Sequence, residues 1–146
     1  MTTYLFSFLT IGFALGQTLY KDCGSINGKV RSVNVEGCSS GPICILKSGT
    51  NVTLNVEFEA LTDTNKLTSV VHGIIGGIPL PFLLPNDNGC ISSGIKCPVV
   101  NEETYHYESD LEILQIYPKI RVIVKWELKD ETGKDMFCIL IPAAIQ

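Results

Sequence analysis

Charge is the scarcest property of this chain. Asp, Glu, Lys and Arg make up only 18% of its 146 residues, and none occurs before Lys21 or between Lys66 and Asp87. The 11 basic residues are outnumbered by 15 acidic ones, for a net charge of −4. A nucleic-acid surface needs clustered basic residues, so that class of partner is excluded. Helical periodicity is missing from the chain beyond its N-terminal stretch. No G-x-S-x-G elbow or other nucleophile motif accompanies the only two histidines, His72 and His106, so no catalytic set can be assembled and the chain does not read as an enzyme. Nor do any two cysteines show the roughly two- to four-residue spacing of a zinc site; neither a metal nor a cofactor is implied. What the chain does have is a 45% share of hydrophobic residues and six cysteines. That is enough apolar material for one domain with its own core, and too much for a disordered chain.

Tyr4 to Leu15 form an uncharged apolar run that ends in Ala14-Leu15-Gly16, with small residues at −3 and −1 if cleavage follows Gly16. The run reads as a secretory signal over residues 1–16, although a basic n-region is missing apart from the amino terminus itself. It is too short to span a bilayer comfortably. Residues 17–146 then form the mature domain, and the oxidising route favours disulfides for Cys23, Cys38, Cys44, Cys90, Cys97 and Cys138. Six cysteines allow about 15 pairings, and spacing alone does not choose among them. Cys38/Cys44 and Cys90/Cys97 are close enough to clip local loops, which would leave Cys23 and Cys138 to tie the two ends of the domain.

The mature sequence alternates with period two. From Thr50 to Ala60, Val52, Leu54, Val56, Phe58 and Ala60 face one way, against Thr53, Asn55, Glu57 and Glu59. From Lys119 to Lys129, Ile120, Val122, Val124, Trp126 and Leu128 are expected inside, with Arg121, Lys125 and Glu127 outside. Shorter candidates are Val30–Glu36, Cys44–Lys47, Leu67–Ile75, Thr104–Ile113 and Asp135–Ile141, separated by turn signals such as Asn86-Asp87-Asn88-Gly89 and Thr132-Gly133-Lys134. About seven such strands indicate an all-β, antiparallel sandwich. Asp130 and Glu131 fall in an expected turn and read as solvated. Asn51-Val52-Thr53 is an N-glycosylation sequon at the start of an exposed strand.

One stretch is out of place. His72-Gly73-Ile74-Ile75-Gly76-Gly77-Ile78-Pro79-Leu80-Pro81-Phe82-Leu83-Leu84-Pro85 carries no acid, Lys or Arg. Its glycines and prolines rule out a membrane helix, and prolines cannot serve a central ladder. Leu67 to Val71 reads as a buried core strand, whereas Ile78 to Pro85 reads as an irregular, extended segment at the edge of the sandwich. Such a segment calls for an apolar partner, a ligand or a membrane.

Several motifs in this chain resemble one family in both content and order. They are Lys21-Asp22-Cys23-Gly24-Ser25, Val70-Val71-His72-Gly73-Ile74, Ile78-Pro79-Leu80-Pro81-Phe82, Asn88-Gly89-Cys90, Tyr117-Pro118, Val124-Lys125-Trp126-Glu127-Leu128, Phe137-Cys138 and Ile141-Pro142. On these the sequence is identified as similar to Niemann–Pick C type 2 proteins, members of the ML lipid-recognition superfamily, across essentially the whole mature chain. The resemblance implies an immunoglobulin-like sandwich with a lipid pocket between its sheets, and the disulfides Cys23–Cys138, Cys38–Cys44 and Cys90–Cys97. It implies a pocket mouth and lining at Phe82, Ile113 and Tyr117, with Tyr107 and Trp126 as further aromatic lining. It also implies that the turn His72, Gly73, Ile74, Ile75, Gly76, Gly77 is an exposed apolar loop that meets membranes or a partner transporter.

The function this implies is a secreted, monomeric carrier. It would hold one hydrophobic ligand, a sterol such as cholesterol or a fatty acid or semiochemical, and exchange it with membranes or a membrane transporter. Extracellular fluid and the lysosomal lumen are the two destinations. The alternative is a protein that presents lipid to an immune or chemosensory receptor. Three departures from vertebrate sterol carriers bear on the ligand. Ile139 and Leu140 stand where those have a Trp and then an acid, Gly76 replaces a bulkier apolar residue, and the Cys90–Cys97 loop is one residue longer.

Overall fold

The computed structural model describes residues 18–38 and 41–146; the expected signal lies outside them. Among the described residues there are nine strands: β1 (Lys21–Asp22), β2 (Gly28–Val35), β3 (Cys44–Leu46), β4 (Asn51–Ala60), β5 (Thr68–Ile75), β6 (Ile78–Pro81), β7 (Thr104–Glu112), β8 (Arg121–Lys129) and β9 (Asp135–Ile145). They form two sheets. One has the order β1-β9-β8-β5-β6 with β3 also paired to β9, and the other is β2-β4-β7. Seven of the nine match the strands expected from alternation; β1 and β6 are additional. All pairings are antiparallel except β3 with β9, where Cys44 opposes Ala143 in a parallel register.

Alternation explains the faces. Leu54, Val56, Phe58 and Ala60 of β4 are buried, as are Val122, Val124, Trp126 and Leu128 of β8. Their partners across the ladder, Ala143, Ile141, Ile139 and Phe137 of β9, line the same side of the larger sheet. The core is this layer between the sheets.

Three positions depart from the pattern. Ile120 is 41% exposed because β8 begins one residue after it. Glu127, on the outer face, is buried opposite Cys138 and bound by Lys129 Nζ at 3.1 Å. Asp130 is buried rather than solvated, because the turn closes around it. Its carboxylate accepts hydrogen bonds from Asn27 Nδ2, the Thr132 hydroxyl and the Thr132 and Lys134 amides.

The disulfides are Cys23–Cys138, Cys38–Cys44 and Cys90–Cys97. The first closes a separation of 115 residues. In the chain-entropy picture, a loop of that length contributes about 5 kcal/mol, against about 2–3 for each short clip.

Candidate functional site: an apolar mouth between the sheets

The β5–β6 hairpin builds the mouth. Gly76 and Gly77 have φ of 57° and 83°, the left-handed pair that a two-residue type I′ turn demands. The hairpin that follows pairs Ile75 with Ile78 and Gly73 with Leu80. His72 to Ile75 therefore belong to a strand, and only Gly76 and Gly77 form the turn; the expected six-residue loop is shorter than the motif suggested. Ile78–Pro81, expected to be irregular, is a strand because it lies at the edge, where Pro79 and Pro81 can spare their missing N–H groups. The same missing donors blunt the edge against pairing with another chain.

After Pro81 the chain turns inward. The Phe82 amide donates to the Val71 carbonyl at 2.9 Å, and the Phe82 ring lies against β5 over Gly73. A Cβ at residue 73 would approach Phe82 Cε2 to 2.7 Å, so glycine is what lets the ring lie flat. Tyr117, from the segment between β7 and β8, meets Phe82 edge-on with centroids 5.0 Å apart. Its hydroxyl accepts a long bond, 3.5 Å, from the Leu83 amide. Behind this pair is a cavity of about 50 Å³ lined by Gly73, Ile75, Leu80, Phe82, Tyr117 and Ile145, among others.

Deeper in the sandwich is a second apolar cavity, about 20 Å³, with Trp126, Leu54, Leu111 and Val124 in its wall. Val124 is the register partner of Gly73, so the two cavities lie on neighbouring positions of the same inner face. Trp126 and Tyr107 form the inner aromatic group with Phe137, at centroid distances of 6.3 Å (Tyr107–Trp126) and 5.5 Å (Tyr107–Phe137). The Tyr107 hydroxyl shares a 2.5 Å hydrogen bond with Ser69 Oγ and accepts Trp126 Nε1–H at 3.2 Å. Burial pushes the Tyr107 phenol above its ordinary pKa, so it remains a neutral hydrogen-bonding group. Ser69, which no sequence pattern singled out, is the polar anchor of the deep end. Ile113 is wholly buried, held by its amide to Thr50 O and by its carbonyl to the Gly49 amide, and lines neither cavity.

Of the sequence-derived set, Phe82 and Tyr117 line the mouth cavity and Trp126 the deep one, whereas Tyr107 touches Trp126 but, like Ile113, lines neither. Around the mouth, Ile78, Leu80, Leu83, Ile116 and Ile120 are exposed, Ile116 at 85%. His72 is half-buried on β5, opposite Lys125 and Pro81. No helix of the described residues is long and apolar enough to cross a membrane.

Glu127, Asp135 and Cys138 converge beside the Cys23–Cys138 bridge. Cys138 Sγ is committed to that bridge, and Lys129 Nζ contacts both carboxylates at 3.1 and 3.3 Å. The group is an ion-pair cluster, with its ligand atoms already engaged.

Comparison with known proteins agrees with this geometry. The ML domain family model matches residues 17–145. The NPC intracellular cholesterol transporter 2 homolog a of Drosophila melanogaster is 43% identical over 132 residues, covering 90% of this chain and 89% of the relative. The NPC intracellular cholesterol transporter 2 of Danio rerio is 44% identical over 126 residues, covering 86% and 83%. In fold, the crystal structure of a Niemann–Pick type C2 protein from the Japanese carpenter ant is similar, with a TM-score of 0.82 at 24% identity, covering 88% of this chain and 99% of that one. By sequence match over nearly its whole length, and with the sandwich and its three disulfides in place, the chain belongs to the ML domain family, among its Niemann–Pick C type 2 members.

Proposed function

We propose that this protein is a soluble carrier that takes one hydrophobic ligand between its sheets through the Phe82–Tyr117 mouth, and that the ligand is a sterol. The mouth carries the reading: a buried Phe82 and a half-buried Tyr117 over an apolar cavity, rimmed by exposed Ile and Leu side chains. Flat rings with few rotors suit a rigid hydrocarbon, and each buried methylene contributes roughly 0.8 kcal/mol before association costs. The names of relatives more than 40% identical, cholesterol transporters, support the sterol class. Carriage rather than catalysis fits the same site, whose two cavities are lined by apolar side chains.

Cavities of about 50 and 20 Å³ are far smaller than the roughly 300–1,000 Å³ of a small-molecule site, so loading requires the sheets to part. The mouth yields first, because the one side-chain hydrogen bond joining the Phe82 segment to Tyr117 is the 3.5 Å bond from the Leu83 amide. The exposed rim of Ile78, Leu80, Leu83 and Ile116 then offers the contact through which ligand passes to a membrane or transporter. Residues 1–16 would be the signal that sends the chain into the secretory route, consistent with a family match that starts at residue 17.

Binding of a fluorescent sterol and its transfer between vesicles test the reading. Phe82→Ala and Tyr117→Ser are each expected to lose tenfold or more in affinity, ~1.4 kcal/mol, while keeping wild-type circular dichroism. Folded variants that bind sterol as well as wild type would overturn the site. Mass spectrometry of lipids copurified with the native protein reads the ligand class: sterol is expected, and fatty acid alone would replace it.

A further inference from the structure

One cavity is much larger than the one at the apolar mouth. It is a polar groove of about 470 Å³ at the outer edge of the three-stranded sheet, and its lining includes Asn51, Pro85, Ser92, Glu108, Asp110 and Glu112. Strand β7 is the outermost strand there, with β4 on one side only. On its free side the Glu108 amide donates to the Ser93 carbonyl at 2.8 Å, which tethers the Cys90–Cys97 loop to the strand. Backbone groups two residues apart point the same way along a strand. The N–H and C=O groups of Asp110 and Glu112 therefore face the groove, beyond that single tether. An open edge of this kind is a template for pairing with another chain unless something covers it.

Asn51 is the first residue of β4, directly opposite Glu112, and its side chain is exposed at one end of the groove. It is also the acceptor of the Asn51-Val52-Thr53 sequon. The wall chemistry is that of a saccharide site. Carboxylates of Glu108 and Glu112 and the Ser92 hydroxyl can accept from sugar hydroxyls, and Pro85 presents an apolar ring to a pyranose face. Asp110 is held in place by the Thr53 hydroxyl, which donates to its Oδ1 at 2.8 Å. The volume lies within the range of small-molecule sites, room for one or two sugar residues.

We propose that Asn51 carries an N-linked glycan whose first sugars lie in this groove, covering the free edge of β7 and bridging it to the Pro85–Ser92 loop. The occupant is the protein's own glycan, tethered at the groove's mouth and so present at high effective concentration. The glycan serves as a cap on the sheet edge, on a different side chain set from the lipid mouth. The proposal rests on passage through the secretory route, which the same experiment reads separately.

The test expresses the full chain in eukaryotic cells and collects the medium. Glycopeptide mass spectrometry is expected to find Asn51 modified. Hydrogen exchange is then compared for the intact glycoprotein, for protein trimmed by an endoglycosidase to a single N-acetylglucosamine, and for the Asn51→Gln variant. Exchange in 108–112 and 85–93 is expected to be slowest in the intact protein, several-fold faster in Asn51→Gln and intermediate in the trimmed form, with 75–83 unchanged. Secreted protein with a bare Asn51 overturns the proposal and leaves the carrier reading standing. So does a glycan whose removal leaves 108–112 and 85–93 unchanged. Retention of the chain inside the cell, unglycosylated, overturns both the glycan and the secretory passage.

Discussion

The mouth and the deep end use the same residue types in opposite ways. At the mouth, Phe82 and Tyr117 meet edge-on, but the tyrosine hydroxyl has only a 3.5 Å bond to the Leu83 amide. At the deep end, Tyr107 binds both Ser69 and Trp126 and packs on Phe137 as well. A buried polar group with full partners is costly to disturb; one with a single long bond is cheap to move. The contrast teaches where the sandwich can open. In the proposed carrier the hairpin side is the part that yields, and the Tyr107–Trp126–Ser69 cluster the part that stays fixed.

The comparison breaks most visibly at its rigid half. Trp126→Ala is expected to cost about 3–5 kcal/mol of stability, and thermal or denaturant unfolding measures it. Phe82→Ala should cost clearly less, since its surroundings can relax; equal losses would mean that the mouth is as rigid as the deep end. Next in size is Gly73→Ala. The added methyl would collide with Phe82 Cε2 and Val122 Cγ2, at 2.7 and 3.0 Å, so the ring must swing away from β5. Overpacking of this kind costs about 1–3 kcal/mol. Stopped-flow sterol uptake should change with it, whereas a rate equal to wild type would show that the ring does not gate entry.

The smallest effect comes from outside both regions and sets their baseline. Burial, then the neighbouring Glu127 carboxylate, push the Asp135 pKa up to about 6, and Lys129 does not fully offset them. Glu127 itself lies below its ordinary value: burial opposes this, but hydrogen bonds from Asp135 and Lys129 prevail. A carboxyl whose folded pKa exceeds its unfolded value of 3.8 binds its proton more tightly in the native state. Its stabilisation is therefore full below the unfolded value and is lost as pH rises through about 6. Glu127 contributes with the opposite sign, above its ordinary pKa of 4.5. Denaturation midpoints taken either side of pH 6 should fall toward neutral pH, and Asp135→Asn should flatten that slope. A wild-type midpoint that does not fall across this interval contradicts the assignment.

Legibility in the sequence followed the range of the interactions. Alternation in β4 and β8 is written in consecutive residues, so the strands and their buried faces could be read directly. The low-charge stretch from His72 to Pro85 also pointed to the mouth. The strand character of Ile78–Pro81 was not legible, because a proline's cost depends on whether the strand is central or at an edge. Burial of Asp130 and Glu127 was equally hidden: their partners, Asn27 and Cys138 among them, are remote in sequence or across a ladder. The union of Phe82 with Tyr117 needed the hairpin, the Gly73 surface and the segment before β8 at once.

By itself the sequence determined the fold class, the oxidisable cysteines and the apolar segment, because period, composition and residue chemistry are local properties of the chain. Only the tertiary structure decided which aromatics pair beside the β5–β6 hairpin and which join the inner cluster. It alone set a polar groove beside Asn51 and made two carboxylates share one lysine. Those outcomes depend on which strands become neighbours, and pairing is a cooperative property of the whole sandwich.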